Sequence, residues 1–75
     1  MDELMRILKE VRGDIDFTTE KQLIDGEVLD SFDIITMVME INNTFGIEID
    51  PEDLEAENFN SAEAIWKLIQ DYKSR

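Results

Sequence analysis

The chain has 75 residues, 43% of them hydrophobic, with 19 acidic side chains against 7 basic ones and neither histidine nor cysteine. That length supports a single small domain, residues 1–75, burying only about 60% of its unfolded surface, and the apolar content excludes a disordered acidic tail. A net charge of −12 argues against nucleic acid and anionic membranes, which demand clustered Lys and Arg, and the missing His and Cys remove the commonest neutral-pH catalysts and any disulfide framework.

The first helix is predicted over residues 2–12. Leu4, Ile7, Leu8 and Val11 follow an i, i+3, i+4, i+7 pattern, with Glu3, Arg6, Lys9, Glu10 and Arg12 elsewhere around the axis. Asp2 is the expected N-cap and Gly13 the stop. Its role is core packing. Residues 13–29 then form a long connection carrying Ile15, Phe17, Leu23, Ile24, Val28 and Leu29. So many apolar anchors predict a segment packed over the bundle, with a helical turn near Glu20–Leu23 and a tight turn at Asp25-Gly26. A long ordered connection in a small domain is often functional.

The central helix is predicted over residues 31–45, with Asp30 as N-cap and Asp33 favoured at the positive end of the helix dipole. Ile34, Met37, Val38, Ile41 and Phe45 share its core face, while Phe32, Ile35 and Met39 form a second apolar face roughly 130° away. Two accounts of the second face compete. The long connection covers it, or it is an exposed interaction surface rimmed by acid.

Gly46 supplies a left-handed cap, and Ile47-Glu48-Ile49 lays two apolar side chains across the core. Pro51 opens a short helix capped by Asp50, running through about Glu55 with Leu54 inward. The acids from Asp50 to Glu57 lack the ligand spacing, glycine and terminal Glu of a calcium loop, so no metal site is expected. Asn60-Ser61-Ala62-Glu63 opens the last helix with an N-cap and a Glu at the third helical position. Ile65, Leu68, Ile69 and Tyr72 form its core stripe, Trp66 lies at the edge, and Lys73-Ser74-Arg75 puts positive charge at the C-terminus, where it is favoured. The predicted fold is all-α: a small bundle of three main helices plus one short helix, with a long loop between the first two.

Ser31 stands out. It places a hydroxyl at the mouth of the central helix, between Asp30 and Asp33 and ahead of the second apolar face. The local physics leaves open whether this is a tether for a prosthetic arm or an ordinary polar residue in a first helical turn. A carboxylate enzyme is disfavoured, because no acid pair has a defined spacing and a domain this small has little room for a cleft. Basic protein surfaces are the natural partners of so acidic a chain.

Leu29-Asp30-Ser31-Phe32-Asp33, Phe45-Gly46-Ile47-Glu48-Ile49 and Pro51-Glu52-Asp53, in this order and helical setting, resemble the acyl carrier proteins of the phosphopantetheine-carrier family over essentially the whole chain. The resemblance implies 4′-phosphopantetheine attached to Ser31 and cargo carried as a thioester on the imported thiol. It implies a carrier that is not itself an enzyme. The family's partner-contacting positions map onto Asp30, Phe32, Asp33, Ile35, Met39 and Glu40, and Met37, Met39 and Ile49 are candidate lining residues for a short acyl cargo.

The implied partners are a phosphopantetheinyl transferase, an acyl- or aminoacyl-loading ligase or transferase, and downstream synthase enzymes with basic docking surfaces, serving a monomeric carrier. No apolar run approaches the roughly 20 residues that span a bilayer, and the acidic Met-Asp-Glu-Leu start lacks the features of a signal peptide. A cytoplasmic location is therefore expected.

Some positions depart from the family's fatty-acid carriers. The nearest glycine before Asp30 is Gly26, Phe32 stands where Leu is more frequent, and Asn42-Asn43-Thr44 replaces a run of Glu. The Leu-Asp-Ser-Phe core is similar to D-alanyl carrier proteins, which load an amino acid for teichoic acids. Cargo therefore stays open among fatty-acyl (as in fatty acid biosynthesis), polyketide-like and D-alanyl groups. An acidic interaction adaptor without a prosthetic group is a further alternative.

Overall fold

The computed structural model describes residues 1–74. Its first helix, α1 (Asp2–Val11), buries Leu4, Ile7 and Leu8. The N-cap is Met1 rather than Asp2, which becomes the first helical residue, where its carboxylate still meets the positive end of the dipole. The helix ends one residue early because Arg12 turns to an extended conformation (φ −142°, ψ 88°) before Gly13 is reached.

The connection from α1 is anchored throughout. Phe17, Leu23 and Leu29 are buried, and Ile15, Ile24 and Val28 pack against the same core. No helical turn forms at Glu20–Leu23; the chain makes turns at 17–19 and 23–27 instead. The reason is tertiary. The Leu23 amide donates to the Asn60 carbonyl at 2.9 Å, and the Leu23 carbonyl accepts from the amides of Val28 and Leu29 at 3.0 and 2.9 Å. Those groups are then unavailable to a local helix. Gly26 is needed for a close approach, since a Cβ there would stand 2.7 Å from the Gln22 carbonyl oxygen. The left-handed residue of the turn is its neighbour Glu27, at φ 56°.

Helix α2 (Ser31–Phe45) has the predicted bounds. Met37 and Ile41 are buried, and Ile34, Val38 and Phe45 flank them half-buried. Gly46 ends the helix in the left-handed region (φ 66°), with its amide on the Asn42 carbonyl. The Asn42 side chain then accepts from the Ile49 amide at 3.1 Å. That bond steers the extended segment so that Ile49 enters the core.

The acidic segment is shorter and more broken than expected. Pro51–Asp53 forms a single 3-10 turn rather than a helix through Glu55, and Leu54 is 39% exposed rather than inward. A one-turn helix, α3 (Ala56–Phe59), follows and delivers Phe59 to the core at 1% exposure. One turn is too short for its periodicity to be legible in sequence. Helix α4 (Ala62–Lys73) buries Ala62, Ile65, Leu68 and Ile69.

The cap of α4 is Ser61, whose side chain accepts from the Ala64 amide, so Glu63 does not complete a capping box. Glu63 pairs instead with Lys21 on the connection. Trp66 meets Phe45 edge-on at 6.0 Å, and the Lys73 ammonium lies 5.7 Å from the Phe45 ring centre. Tyr72 is half-buried; its hydroxyl accepts from the Asp50 amide at 2.9 Å and donates to Asp53. Of the basic C-terminal run, Arg75 lies outside the described residues.

Helix α1 packs against both α2 and α4, and α3 packs on α4. The described residues contain helices and turns but no strand. The fold is the small all-α bundle with a long first connection that the sequence predicts, with α3 added.

Candidate functional site

The site is built on the first turn of α2. Buried Leu29 pins the chain just before it, and Asp30 enters in an extended conformation (φ −96°, ψ 177°). Asp30 Oδ1 accepts from the Asp33 amide at 2.8 Å, and Asp33 Oδ2 accepts weakly from the Asp30 amide at 3.5 Å. Together these make a capping box in which Asp takes the place usually held by Glu.

Ser31 is the first helical residue and is exposed. Among the described residues its hydroxyl has no hydrogen-bond partner, and the amides of Ser31 and Phe32 are likewise free. An open hydroxyl thus stands beside two unused N–H donors at the positive end of a fifteen-residue helix. Among the described residues no lysine contacts this hydroxyl; Asp30 Oδ1 is turned onto the Asp33 amide and Asp33 Oδ2 onto Arg12.

Asp33 is committed to the interior of the site. Its Oδ2 accepts from Arg12 Nη1 at 2.7 Å, and its side chain is only 14% exposed. The same guanidinium forms a two-pronged pair with Asp14, both contacts at 3.0 Å, and reaches the Val28 carbonyl at 3.4 Å. The hydrogen bond from Arg12, above all, holds the Asp14 carboxyl below the usual carboxylate range. Bonds to Asp14 first, and then to Asp33, raise the guanidinium above its ordinary value. Periodicity places Arg12 merely on the outer side of the first helix. Only the adjacent Gly13-Asp14 hints at a local pair, and nothing local points to Asp33.

The second apolar face of α2 is open. Phe32, Ile35 and Met39 are 76%, 56% and 66% exposed, so the long connection does not cover them. Glu40 is exposed beside Met39, and both border an open groove of about 520 Å³ with Asn42, Asn43, Ile47 and Glu48. The structure therefore groups Asp30, Ser31, Phe32, Ile35, Met39 and Glu40 along one exposed side, and turns the Asp33 carboxylate toward Arg12.

The three candidate cargo-lining residues are not brought together. Met37 and Ile49 are buried in the core, while Met39 points outward. The space between α2 and the segment before α4 is a cavity of about 30 Å³ bordered by Ile24, Ile34, Leu54, Glu55, Ala56 and Phe59. That is about one water's share of liquid volume. No group of side chains suited to a metal ion occurs among the described residues. Nor is any of their helices long and apolar enough to cross a membrane.

The family profile of the phosphopantetheine attachment site matches residues 2–66. The chain is 38% identical over 55 residues to an acyl carrier protein of Buchnera aphidicola subsp. Baizongia pistaciae (strain Bp), covering 73% of this chain and 68% of the relative. It is 26% identical over 74 residues to a D-alanyl carrier protein of Lactococcus lactis subsp. lactis (strain IL1403), covering 96% and 94% of the two chains. No solved structure matches the chain at comparable significance. With its all-helical bundle and a match over most of its length, the chain belongs to the phosphopantetheine-dependent carrier family, whose members are not catalysts but bear the prosthetic group and work with transferases and synthases.

Proposed function

We propose that Ser31 bears the phosphopantetheine and that the exposed side of α2 presents the cargo to partner enzymes. The observation that carries this reading is the open Ser31 hydroxyl beside two free amides at the head of α2. The site fits a phosphodiester, because helix N-terminal N–H groups and the dipole favour an anion. In the transfer, Ser31 Oγ forms the bond to the phosphorus that becomes the phosphodiester. The pyrophosphate bond of coenzyme A breaks, the adenosine bisphosphate leaves, and the hydroxyl proton goes to a base on the transferase. Once bound, the group supplies a thiol on a mobile arm, which carries cargo as a thioester in a chain that has no cysteine of its own.

The partners on this reading are a phosphopantetheinyl transferase, a loading ligase or transferase, and synthases whose docking surfaces combine apolar pockets with basic residues. Phe32, Ile35 and Met39 supply apolar contact, and Asp30 and Glu40 supply charge that speeds encounter. Asp33 contributes by holding the first turn of α2 in shape. The carrier acts as a monomer. Intact mass after incubation with coenzyme A and a phosphopantetheinyl transferase tests the assignment. One phosphopantetheine should be gained by the parent and none by Ser31→Ala. An undiminished gain in that variant would place the arm elsewhere.

A second reading concerns cargo. The D-alanyl carrier relative aligns along nearly the whole chain at 26% identity, and the acyl carrier relative over less of it at 38%. The first supports D-alanine as a cargo beside the acyl groups that the second supports. Charging the holo protein with D-alanine and a D-alanyl ligase, against fatty-acyl and malonyl donors with their own transferases, separates the two. Exclusive charging by the fatty-acyl donor would rule out the D-alanine reading.

A further inference from the structure

We propose that Arg12 is a positioning residue for modification at Ser31: it neutralises Asp33 and locks the first turn of α2, so that an incoming phosphate meets one uncompensated carboxylate instead of two. The inference rests on the assignment of Ser31. It concerns a residue at the far end of α1 that belongs to neither the attachment site nor the docking face.

The geometry is specific. Arg12 stands where α1 ends, and its guanidinium uses all three nitrogens. Nε and Nη2 hold Asp14 at 3.0 Å each, and Nη1 holds Asp33 at 2.7 Å and the Val28 carbonyl at 3.4 Å. One side chain thereby ties together both ends of the long connection and the third helical residue of α2. A planar fork with several donors can do this; a lysine ammonium, a point charge on a flexible stem, cannot reproduce it. The Arg12 and Asp33 side chains are 32% and 14% exposed, so solvent screens the pair less than it screens an open surface pair.

The chemistry gives the arrangement a purpose. Asp30 and Asp33 flank Ser31, and the phosphate entering there is itself anionic. Asp30 Oδ1 is turned onto the Asp33 amide. Asp33, without Arg12, would be a second, poorly solvated negative charge within two residues of the reacting oxygen. With Arg12 in place its charge is met. Its orientation also keeps the capping box closed, beside the Ser31 and Phe32 amides that the helix start leaves without intrahelical acceptors.

The test compares Arg12→Gln, Arg12→Lys, Asp33→Asn and the Arg12→Gln/Asp33→Asn double variant, with Ser31→Ala as control. Phosphopantetheinylation by a purified transferase with coenzyme A is followed by intact mass, at a temperature where urea titrations show every variant folded. Arg12→Gln should lower kcat about 10-fold, the factor corresponding to the loss of one charge-assisted hydrogen bond. KM should stay level or fall, because the added net negative charge favours docking on a basic transferase. Raising salt should recover part of the lost rate, since the repulsion is screened. Arg12→Lys should recover part of it through charge alone. In the Asp33→Asn background, Arg12→Gln should cost little further.

Parent-like kcat for Arg12→Gln at every salt concentration would overturn the proposal. So would a loss that ignores salt, persists in full beside Asp33→Asn and tracks the unfolded fraction. Mass gain in Ser31→Ala would instead defeat the attachment assignment, which keeps the two failures distinct.

Discussion

Replacing Asn60 by alanine should destabilise the fold by about 2 kcal/mol, chiefly by loosening the long connection. The Asn60 carboxamide oxygen accepts from the amides of Ile24 and Asp25, both at 3.0 Å, and its nitrogen donates to Asp25 Oδ2 at 2.9 Å. The two contacts with Asp25 are exposed, so water replaces much of each and the loss is about 0.5 kcal/mol apiece. The Ile24 amide is partly buried and is left without an acceptor, which costs about 1–3 kcal/mol. The backbone bond from Leu23 to the Asn60 carbonyl survives the substitution.

For 75 residues total stability is of the order of 4–11 kcal/mol, so the loss is a substantial part of it. Urea unfolding followed by Trp66 fluorescence should show a lower midpoint at unchanged slope, with a fall in Tm on the order of 10 °C. Asn60→Asp keeps the oxygen that accepts from the Ile24 and Asp25 amides but loses the donor and sets a carboxylate against that of Asp25. Its defect should shrink as salt rises, whereas the alanine defect should not. A midpoint for Asn60→Ala within error of the parent would refute the view that this side chain holds the connection in place.

Phe32→Ala and Met39→Ala should leave stability within about 0.5 kcal/mol of the parent while slowing modification or loading. A large fall in stability would mean that the face is packed in solution. Glu40→Lys should slow the same reactions through association, with the effect fading at high salt; equal rates at low salt would exclude a steering role. Tyr72→Phe removes the hydroxyl that joins α4 to Asp50 and Asp53 and should cost about 1 kcal/mol; an unchanged urea midpoint would contradict this. Asp14 provides a pH test. Its folded-state pKa is depressed, mainly by the hydrogen bond from Arg12. Its contribution is therefore present above the unfolded value of about 3.9 and lost as pH falls through the lower folded value. The stability gap between parent and Asp14→Asn should be full at neutral pH and close below about pH 4; a gap independent of pH would argue against the ion pair.

What the sequence determined by itself was whatever is encoded within a turn or two of helix. The bounds of α2, its Asp30 cap, its Gly46 terminator and the division of its apolar residues into two faces all follow from i, i+3 and i+4 spacing and from the conformational freedom of glycine. The position of Ser31 at the helix mouth follows from the same cues. Partners far apart in the chain leave no such periodic trace. Asn60 reads as a helix cap, yet it clamps the connection because folding brings Ile24 and Asp25 to it, and Ser61 takes the cap. Asp33 reads as a charge placed for the helix dipole, and nothing in its spacing shows that α1 brings Arg12 against it. Phe59 enters the core from a single turn, and Leu54 is left outside. Whether the second face of α2 was covered also depended on tertiary packing. Phe17, Leu23 and Leu29 send the connection into the core, and that route leaves Phe32, Ile35 and Met39 exposed.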